Sequence, residues 1–380
     1  MRDAVIVEAV RTPIGRREGA LSALHPVDLS ASVLRSLAER TGIDPSVVED
    51  VIWGCVGQVG EQSANIGRNA VLAAGWPESV PGTTVDRQCG SSQQAIHFAA
   101  ATVIAGHAEV VVAGGVESMS RVPMGSARAN GPGLPFGDLV AERYDGYEFH
   151  QGKGAEILAA RYDLSRTWLD AYAVSSHERA AAAIDGGRFA KEVVPVTLPD
   201  GSRFDLDEGV RRRTHVDRLA ALRPAFAEDG RMTAGNSSQI SDGSAAVLVT
   251  TSERAGRLGL TPLARVHSAT AVGSDPIAML GGPIPATADV LAKAGLGPVS
   301  PIFAGPRRLA RSPSLRPGVP PLAARQNHPS TSSTRAIRAH SPSLRPGGPP
   351  EHAPPSSRLL PQPSAGRCPQ SKGDPHDAAA

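Results

Sequence analysis

Residues 83–117 constrain this chain more than any other stretch: TTVDRQCGSSQQAIHFAAATVIAGHAEVVVAGGVE. A short β-branched run, Thr83-Thr84-Val85, leads into the turn-forming Cys89-Gly90-Ser91-Ser92. A helix-length apolar stretch over 95–105 follows, and then a buried strand over 109–115. The unit reads strand, turn, helix, strand, with one cysteine at the turn. A thiolate is favoured at such a place, because the unpaired N–H groups and the dipole of a helix start attract negative charge. Gly90 lets the backbone turn tightly and a substrate approach, and Ser91 and Ser92 are good capping residues. Residue type and place make Cys89 a candidate nucleophile; the competing reading is a small core cysteine.

The flanking sequence supplies further elements of the same kind. Residues 4–10 read as a buried strand ended by Arg11-Thr12-Pro13-Ile14-Gly15, and 28–38 as a helix closed by Gly42. Asp44-Pro45 caps a short helix, 51–56 is a strand, and 65–74 is a helix ended by Gly75. Cys55, inside an apolar strand with no basic neighbour, reads as core. Strands alternating with helices predict an α/β fold on a mainly parallel sheet covered on both faces. Between 121 and 233 the pattern loosens, with turns at Gly131-Pro132-Gly133 and Asp200-Gly201, an Ala-rich helix over 169–184 and a strand over 193–196. Residues 244–250 read as a returning strand, 263–272 as the start of a second half, and 287–294 as a helix ended by Gly295.

Composition excludes several classes. Aromatics are 4% of the chain, too few for the interleaved aromatic and basic pattern of a nucleic-acid binder. Cys55, Cys89 and Cys368 are too widely spaced for a disulfide framework or a metal site. The N-terminus lacks a signal-peptide pattern and no apolar run is long enough for a membrane span, so a cytoplasmic protein without membrane partners is expected.

The wording around Cys89 carries more than its pattern. Asp86-Arg87-Gln88-Cys89-Gly90-Ser91-Ser92-Gln93-Gln94-Ala95, followed by Gly114-Gly115-Val116-Glu117-Ser118-Met119-Ser120, closely resembles the thiolase family of acyl-CoA acyltransferases, and the likeness runs over residues 1–296. It implies layers ordered αβαβα, with an N-terminal core (1–120 and 241–262), an inserted coenzyme A-binding loop domain (121–240) and the start of a C-terminal core (263–296). It implies that Cys89 carries the acyl group as a thioester. It further implies that His150 lies beside the pantetheine arm, Arg211 near the nucleotide end, and Ser238, in Gly235-Asn236-Ser237-Ser238-Gln239-Ile240-Ser241-Asp242-Gly243, at the pantetheine amide. Each has a plainer reading: a surface histidine, a solvated Arg211-Arg212-Arg213 run, a loop serine. Coenzyme A enters as substrate, acyl-CoA as partner, no cofactor is implied, and a homo-oligomer, dimer or tetramer, is expected.

The resemblance stops at Leu296. A thiolase continues with an Asn-Glu-Ala-Phe segment, a Gly-His-Pro segment whose histidine activates the nucleophile, and a second cysteine beside a glycine run. None of these follows here. Residues 301–380 carry 11 Lys and Arg against 3 Asp and Glu and hold 17 of the 33 prolines, and the heptapeptide at 312–318 recurs at 341–347. A tail of that composition, 297–380, cannot bury enough apolar surface to order itself. A shift of reading frame in a GC-rich gene produces such a switch; a genuine disordered tail is the alternative. His328, His340, His352, His376 and Cys368 replace the missing residues by letter only, and His97 reads as a packed or surface histidine rather than a base. Three functional readings stay open: a thiolase-type acyltransferase of impaired activity, a catalytically dead acyl-CoA-binding remnant, and a ketosynthase-type condensing enzyme. Without a second half, Ile96, Phe98, Val103 and Ile104 are expected to forfeit part of the roughly 1.5–3 kcal/mol that burial of each contributes.

Overall fold

The computed structural model describes residues 2–129 and 131–297. Strands β1 (Val5–Arg11) and β2 (Gly15–Arg16), helix α1 (Pro26–Thr41), strand β3 (Asp50–Gly54), helix α2 (Ile66–Ala73), strand β4 (Gly82–Val85), helix α3 (Ser91–Ala105) and strand β5 (Val110–Ser118) follow in order. The chain then runs through helices α4 (Ser126–Ala129), α5 (Asp138–Arg143), α6 (Gln151–Arg161) and α7 (Arg166–Asp185), the small hairpin of β6 (Val196–Thr197) and β7 (Arg203–Phe204), and helix α8 (Val216–Ala220). Strand β8 (Ser241–Thr250), helix α9 (Ser252–Arg257), strand β9 (Ala264–Arg265) and helix α10 (Pro283–Lys293) come last.

The main sheet has the order β4-β3-β5-β8-β1-β9, with β2 beside β8. It corrects the mainly parallel sheet expected from the sequence. Among the described strands of this sheet, the only parallel pairs are those of β3 with β4 and β5; β8 is antiparallel to β5, β1 and β2, and β9 is antiparallel to β1. The reason lies in connectivity. Strand β8 returns from the long 119–240 excursion and enters between β5 and β1, and a hydrophobic pattern carries no information about a strand's direction.

Alternation along the strands assigns each side chain to a face. Val51, Trp53, Val110, Val112 and Leu248 meet α1 and α2 through Leu29, Val33, Leu34, Leu37, Ile66 and Val71. Ile52, Val111, Ala113 and Val249 point the other way and meet Ala95, Ala99, Ala100 and Val103 of α3. Helices thus cover both faces, which supplies three of the five expected layers among the described residues. Helix α1 starts at Pro26 and ends where Gly42 turns left-handed at φ 68°, the asymmetry expected of helix ends. Helix α2 is capped by Asn65, whose side chain accepts from the Arg68 N–H.

Helix α3 bears out only part of what its composition suggests. Val103 is buried and Ile96 half-buried, while Phe98 and Ile104 are 42% and 43% exposed. The sheet buries one stripe of the helix through small residues, so the outer face is left to solvent. Farther on, the strand expected over 193–196 is displaced to Val196–Thr197, with Val193 bridged to Arg11. Of 263–272 only Ala264–Arg265 pairs, and the last helix begins four residues early at Pro283. The tail residues His328, His340, His352, Cys368 and His376 lie outside the described residues.

A polar network ties the inserted segment together. The buried carboxylate of Asp170 on α7 accepts from Arg166 Nε at 2.8 Å and from Asn236 Nδ2 at 2.9 Å. Glu156 on α6 accepts from the backbone N–H groups of Arg231 and Met232, and Arg231 Nη1 donates to the carbonyls of Ala159 and Leu164. Buried polar groups satisfied in this way specify one arrangement of α6, α7 and the 231–236 loop.

Candidate active site

Cys89 is exposed in the turn between β4 and α3, just past the C-terminal ends of the three parallel strands β4, β3 and β5. Open α/β sheets bind ligands outside such strand ends. Two glycines decide how closely α3 approaches. A Cβ on Gly54, the last residue of β3, would overlap the Ser92 nitrogen and stand 2.5 Å from the Ser91 carbonyl carbon. A Cβ on Gly115 of β5 would overlap Ser92 Oγ and the Gly54 carbonyl oxygen. The first turn of α3 therefore rests directly on β3 and β5, and Cys89 is carried at a fixed height above them.

The turn itself differs from the sequence expectation in two ways. Its left-handed residue is Gln88, at φ 46°, whereas Gly90 has φ −103° and a Cβ there would meet nothing nearer than 3.5 Å. Neither serine caps the helix, because Gly90 is the N-cap and no side chain bonds there. Ser91 instead reaches backward: its hydroxyl accepts from the Arg87 N–H at 3.0 Å and donates to the Gln88 carbonyl at 2.7 Å. Asp86 accepts from the Gln88 N–H at 2.6 Å.

Cys55 is buried at the end of β3, as its apolar surroundings suggested, and its N–H donates to the Val85 carbonyl. Burial, reinforced by the charges of Glu117 and Asp86, pushes its thiol up to about 12. At pH 8 the two thiols should therefore behave oppositely: iodoacetamide is expected to label Cys89 and leave Cys55 untouched until the chain is denatured. Peptide mass mapping checks this, and labelling of native Cys55 would contradict it. His97, half-buried on α3, is held below the usual imidazole range by burial and by Arg87.

Sequence reasoning missed the support behind the strand ends. Glu117 accepts from the backbone N–H groups of Val56 and Gly57 at 2.9 and 3.1 Å and from Gln62 Nε2 at 2.8 Å. The buried Gln62 also accepts the Ser118 N–H at 2.7 Å. Together they lock the loop after β3 to the end of β5. Nothing in the identity of Gln62 signals this; Glu117 was visible only as part of a family-like string.

The three other candidates lie in the inserted segment. His150 is the N-cap of α6: its Nδ1 accepts from the Gly152 N–H at 3.1 Å, which leaves Nε2–H as its donor, and its ring is tilted against Phe226 at 5.5 Å. Arg211 is exposed and lines a groove of about 540 Å³ with Arg212, Arg213, Arg218, Leu219 and Leu222. Its backbone N–H donates to His177 Nδ1 at 3.2 Å. Burial and then Arg211 lower the basicity of that histidine. Ser238 is exposed in the loop entering β8, next to Gln239, whose Nε2 donates to the Gly209 carbonyl at 2.7 Å. The structure thus brings the Ser238 loop beside the Arg211 segment, and Glu156 and Phe226 connect the His150 helix to the same loop system.

With this geometry in hand, known proteins provide a comparison. The family described as "Thiolase, N-terminal domain" matches residues 4–253. A steroid 3-ketoacyl-CoA thiolase of Mycobacterium tuberculosis is 47% identical over 302 residues, 78% of this chain and 74% of the relative. A 3-ketoacyl-CoA thiolase of Erwinia tasmaniensis is 45% identical over 303 residues, 78% of this chain and 77% of the relative. Among solved structures, the Bacillus anthracis acetyl-CoA acetyltransferase superposes with a TM-score of 0.71 at 40% identity, covering 78% of this chain and 77% of that one.

Proposed function

We infer the function from one premise: the chain belongs to the thiolase family. It is by descent a thiolase-type acyltransferase, and we propose that Cys89 is its acyl carrier. In the degradative direction Cys89 Sγ attacks the 3-keto carbon of a 3-ketoacyl-CoA. The C2–C3 bond breaks, its electron pair goes to C2, and the proton given up by the thiol balances the one taken by C2 as acetyl-CoA leaves. A second coenzyme A thiol then takes the shortened acyl group from Cys89. The first half trades a C–C bond for a thioester, the oxidation of C3 being matched by the reduction of C2, and the second trades one thioester for another, so the electron balance requires no redox cofactor and the proton balance no metal. The single observation that supports this reading is the exposed thiol fixed at the start of α3, beyond the ends of the parallel strands.

Coenzyme A is the ligand we assign to the inserted segment, 121–240. The Arg211 groove is lined by Arg211, Arg213 and Arg218, whose guanidinium groups suit phosphates, and by Arg212, which is already paired with Asp185. His150 Nε2–H and the Ser238 hydroxyl offer hydrogen bonds to the pantetheine amides. A cytoplasmic homo-oligomer belongs to the same reading. Among the described residues no helix is long and apolar enough to cross a membrane.

The motifs to which the resemblance assigns proton transfer are missing after Leu296, so acylation and turnover have to be measured separately. Incubated with acetyl-CoA, the full chain is expected to gain an acetyl adduct on the Cys89 peptide, and Cys89→Ala is expected to lose it entirely. An adduct that persists in the variant, or that never forms in the parent chain, would overturn the assignment. Loss of acetoacetyl-CoA on adding coenzyme A then separates an active thiolase from a chain that only accepts the acyl group.

A further inference from the structure

Gln88 occupies a left-handed conformation that costs a non-glycine residue about 1–2 kcal/mol. Such strain persists where neighbouring bonds over-determine it, often at sites of chemistry. Asp86 holds the Gln88 N–H at 2.6 Å and its side-chain amide at 3.3 Å. Ser91 holds both sides of the turn, accepting from the Arg87 N–H and donating to the Gln88 carbonyl, and the Ser91 N–H donates to the same carbonyl at 3.2 Å. The Ser91 side chain is nearly sealed from solvent, so water does not compete for these bonds.

The Gln88 carbonyl belongs to the same planar peptide unit as the Cys89 N–H. In a trans peptide the two point in opposite directions, so binding the oxygen on one side aims the N–H on the other. That N–H is the donor nearest in the chain to the thiol. An acyl carbon attacked by Sγ places a developing oxyanion beside it, where a pre-aimed donor is most effective.

We propose that Ser91 is a positioning residue for acyl transfer: its hydroxyl fixes the Gln88–Cys89 peptide plane and thereby aims the Cys89 N–H at the oxyanion formed when the thiol attacks. This rests on the reading of Cys89 as nucleophile and adds to it the residue that orients its donor. A residue that only held the helix would affect any reaction of the thiol equally. Ser91 should instead separate reactions that develop an oxyanion from those that do not.

The test measures two reactions of Cys89 in the full chain and in Ser91→Ala and Ser91→Thr. Acetylation by p-nitrophenyl acetate passes through a tetrahedral oxyanion; alkylation by iodoacetamide is a displacement that does not. Ser91→Ala is expected to slow acetylation by about 10²-fold, the usual loss for one oxyanion donor, and to change alkylation only a few-fold. Ser91→Thr, which keeps the hydroxyl, is expected to stay near the parent rates. Equal slowing of both reactions, or of neither, would overturn the proposal. If alanine prevents folding, threonine with normal alkylation but slow acetylation overturns it as well. Acetyl-CoA as acyl donor keeps the two readings apart: a parent chain acetylated by the activated ester with the expected Ser91 dependence, but never by acetyl-CoA, would leave the Ser91 role standing and remove the coenzyme A function.

Discussion

Gly54→Ala is expected to cost this chain its native packing. The new Cβ would overlap backbone atoms at Ser91 and Ser92, which cannot rotate aside as a side-chain tip would. Either β3 bends or α3 lifts. Lifting the helix separates Ala95, Ala99 and Val103 from Ile52, Val111 and Ala113, which form the core on that face of the sheet. Overpacking of this kind costs about 1–3 kcal/mol and sometimes more, against a typical net stability of about 5–15 kcal/mol. Urea denaturation should show a midpoint shifted well to lower concentration, with Cys89 labelling altered under native conditions. Gly90→Ala is the control. Gly90 lies at negative φ and a Cβ there would make only ordinary van der Waals contact with Arg87, so alanine there should cost under about 1 kcal/mol, the size of an N-cap preference. Equal effects of the two substitutions would refute the view that close helix–strand approach, rather than a glycine turn, places the cysteine.

Removing the Asp170 carboxylate should be at least as damaging, and in a different part of the molecule. Asp170→Ala leaves the Arg166 guanidinium and the Asn236 amide without their shared acceptor at a buried position. Breaking a buried pair from one side typically costs about 3–5 kcal/mol, and the low end applies because Arg166 keeps its bonds to the Leu219 and Leu222 carbonyls. The loss is local to the inserted segment, so the sheet with α1 to α3 should remain protected. Hydrogen exchange should quicken in α6, α7 and the 231–236 loop and stay slow in β3, β5 and β8. Because these elements support His150, Arg211 and Ser238, retention of coenzyme A should fall with them. Uniform exchange throughout the chain would show that the segment has no cooperativity of its own.

Much of the fold could be read from the sequence, and the exceptions share a cause. The helix after Cys89, the strand expected over 109–115 and found at Val110–Ser118, the core role of Cys55 and the helix end at Gly42 all follow from local chemistry: apolar period, β-branched runs and glycine. Strand direction did not follow, because β8 reaches its place only after the 119–240 excursion and its pattern would suit a parallel neighbour equally well. The loss of burial expected along α3 holds for Phe98 and Ile104 but not for Val103, for a related reason. Phe98 and Ile104 look like core residues by type, but which face is covered depends on which elements are present to cover it.

The site divides along the same line. Residue type and family-like wording singled out Cys89, His150, Arg211 and Ser238, since nucleophiles and cationic or hydrogen-bonding ligands have few alternatives in the twenty side chains. What holds Cys89 in place was invisible there. Gln88 rather than Gly90 adopts the left-handed conformation, Ser91 bonds backward instead of capping forward, and Gln62 and Glu117 lock the strand ends from residues more than fifty positions apart. The chain by itself thus determined its class, its candidate nucleophile and most of its secondary structure, because those depend on neighbours in sequence. Only the tertiary structure decided the direction of β8, the depth of α3 on the sheet and the aim of the Cys89 N–H, because each is set by atoms brought together across the sheet or by a backbone strain that no residue type announces.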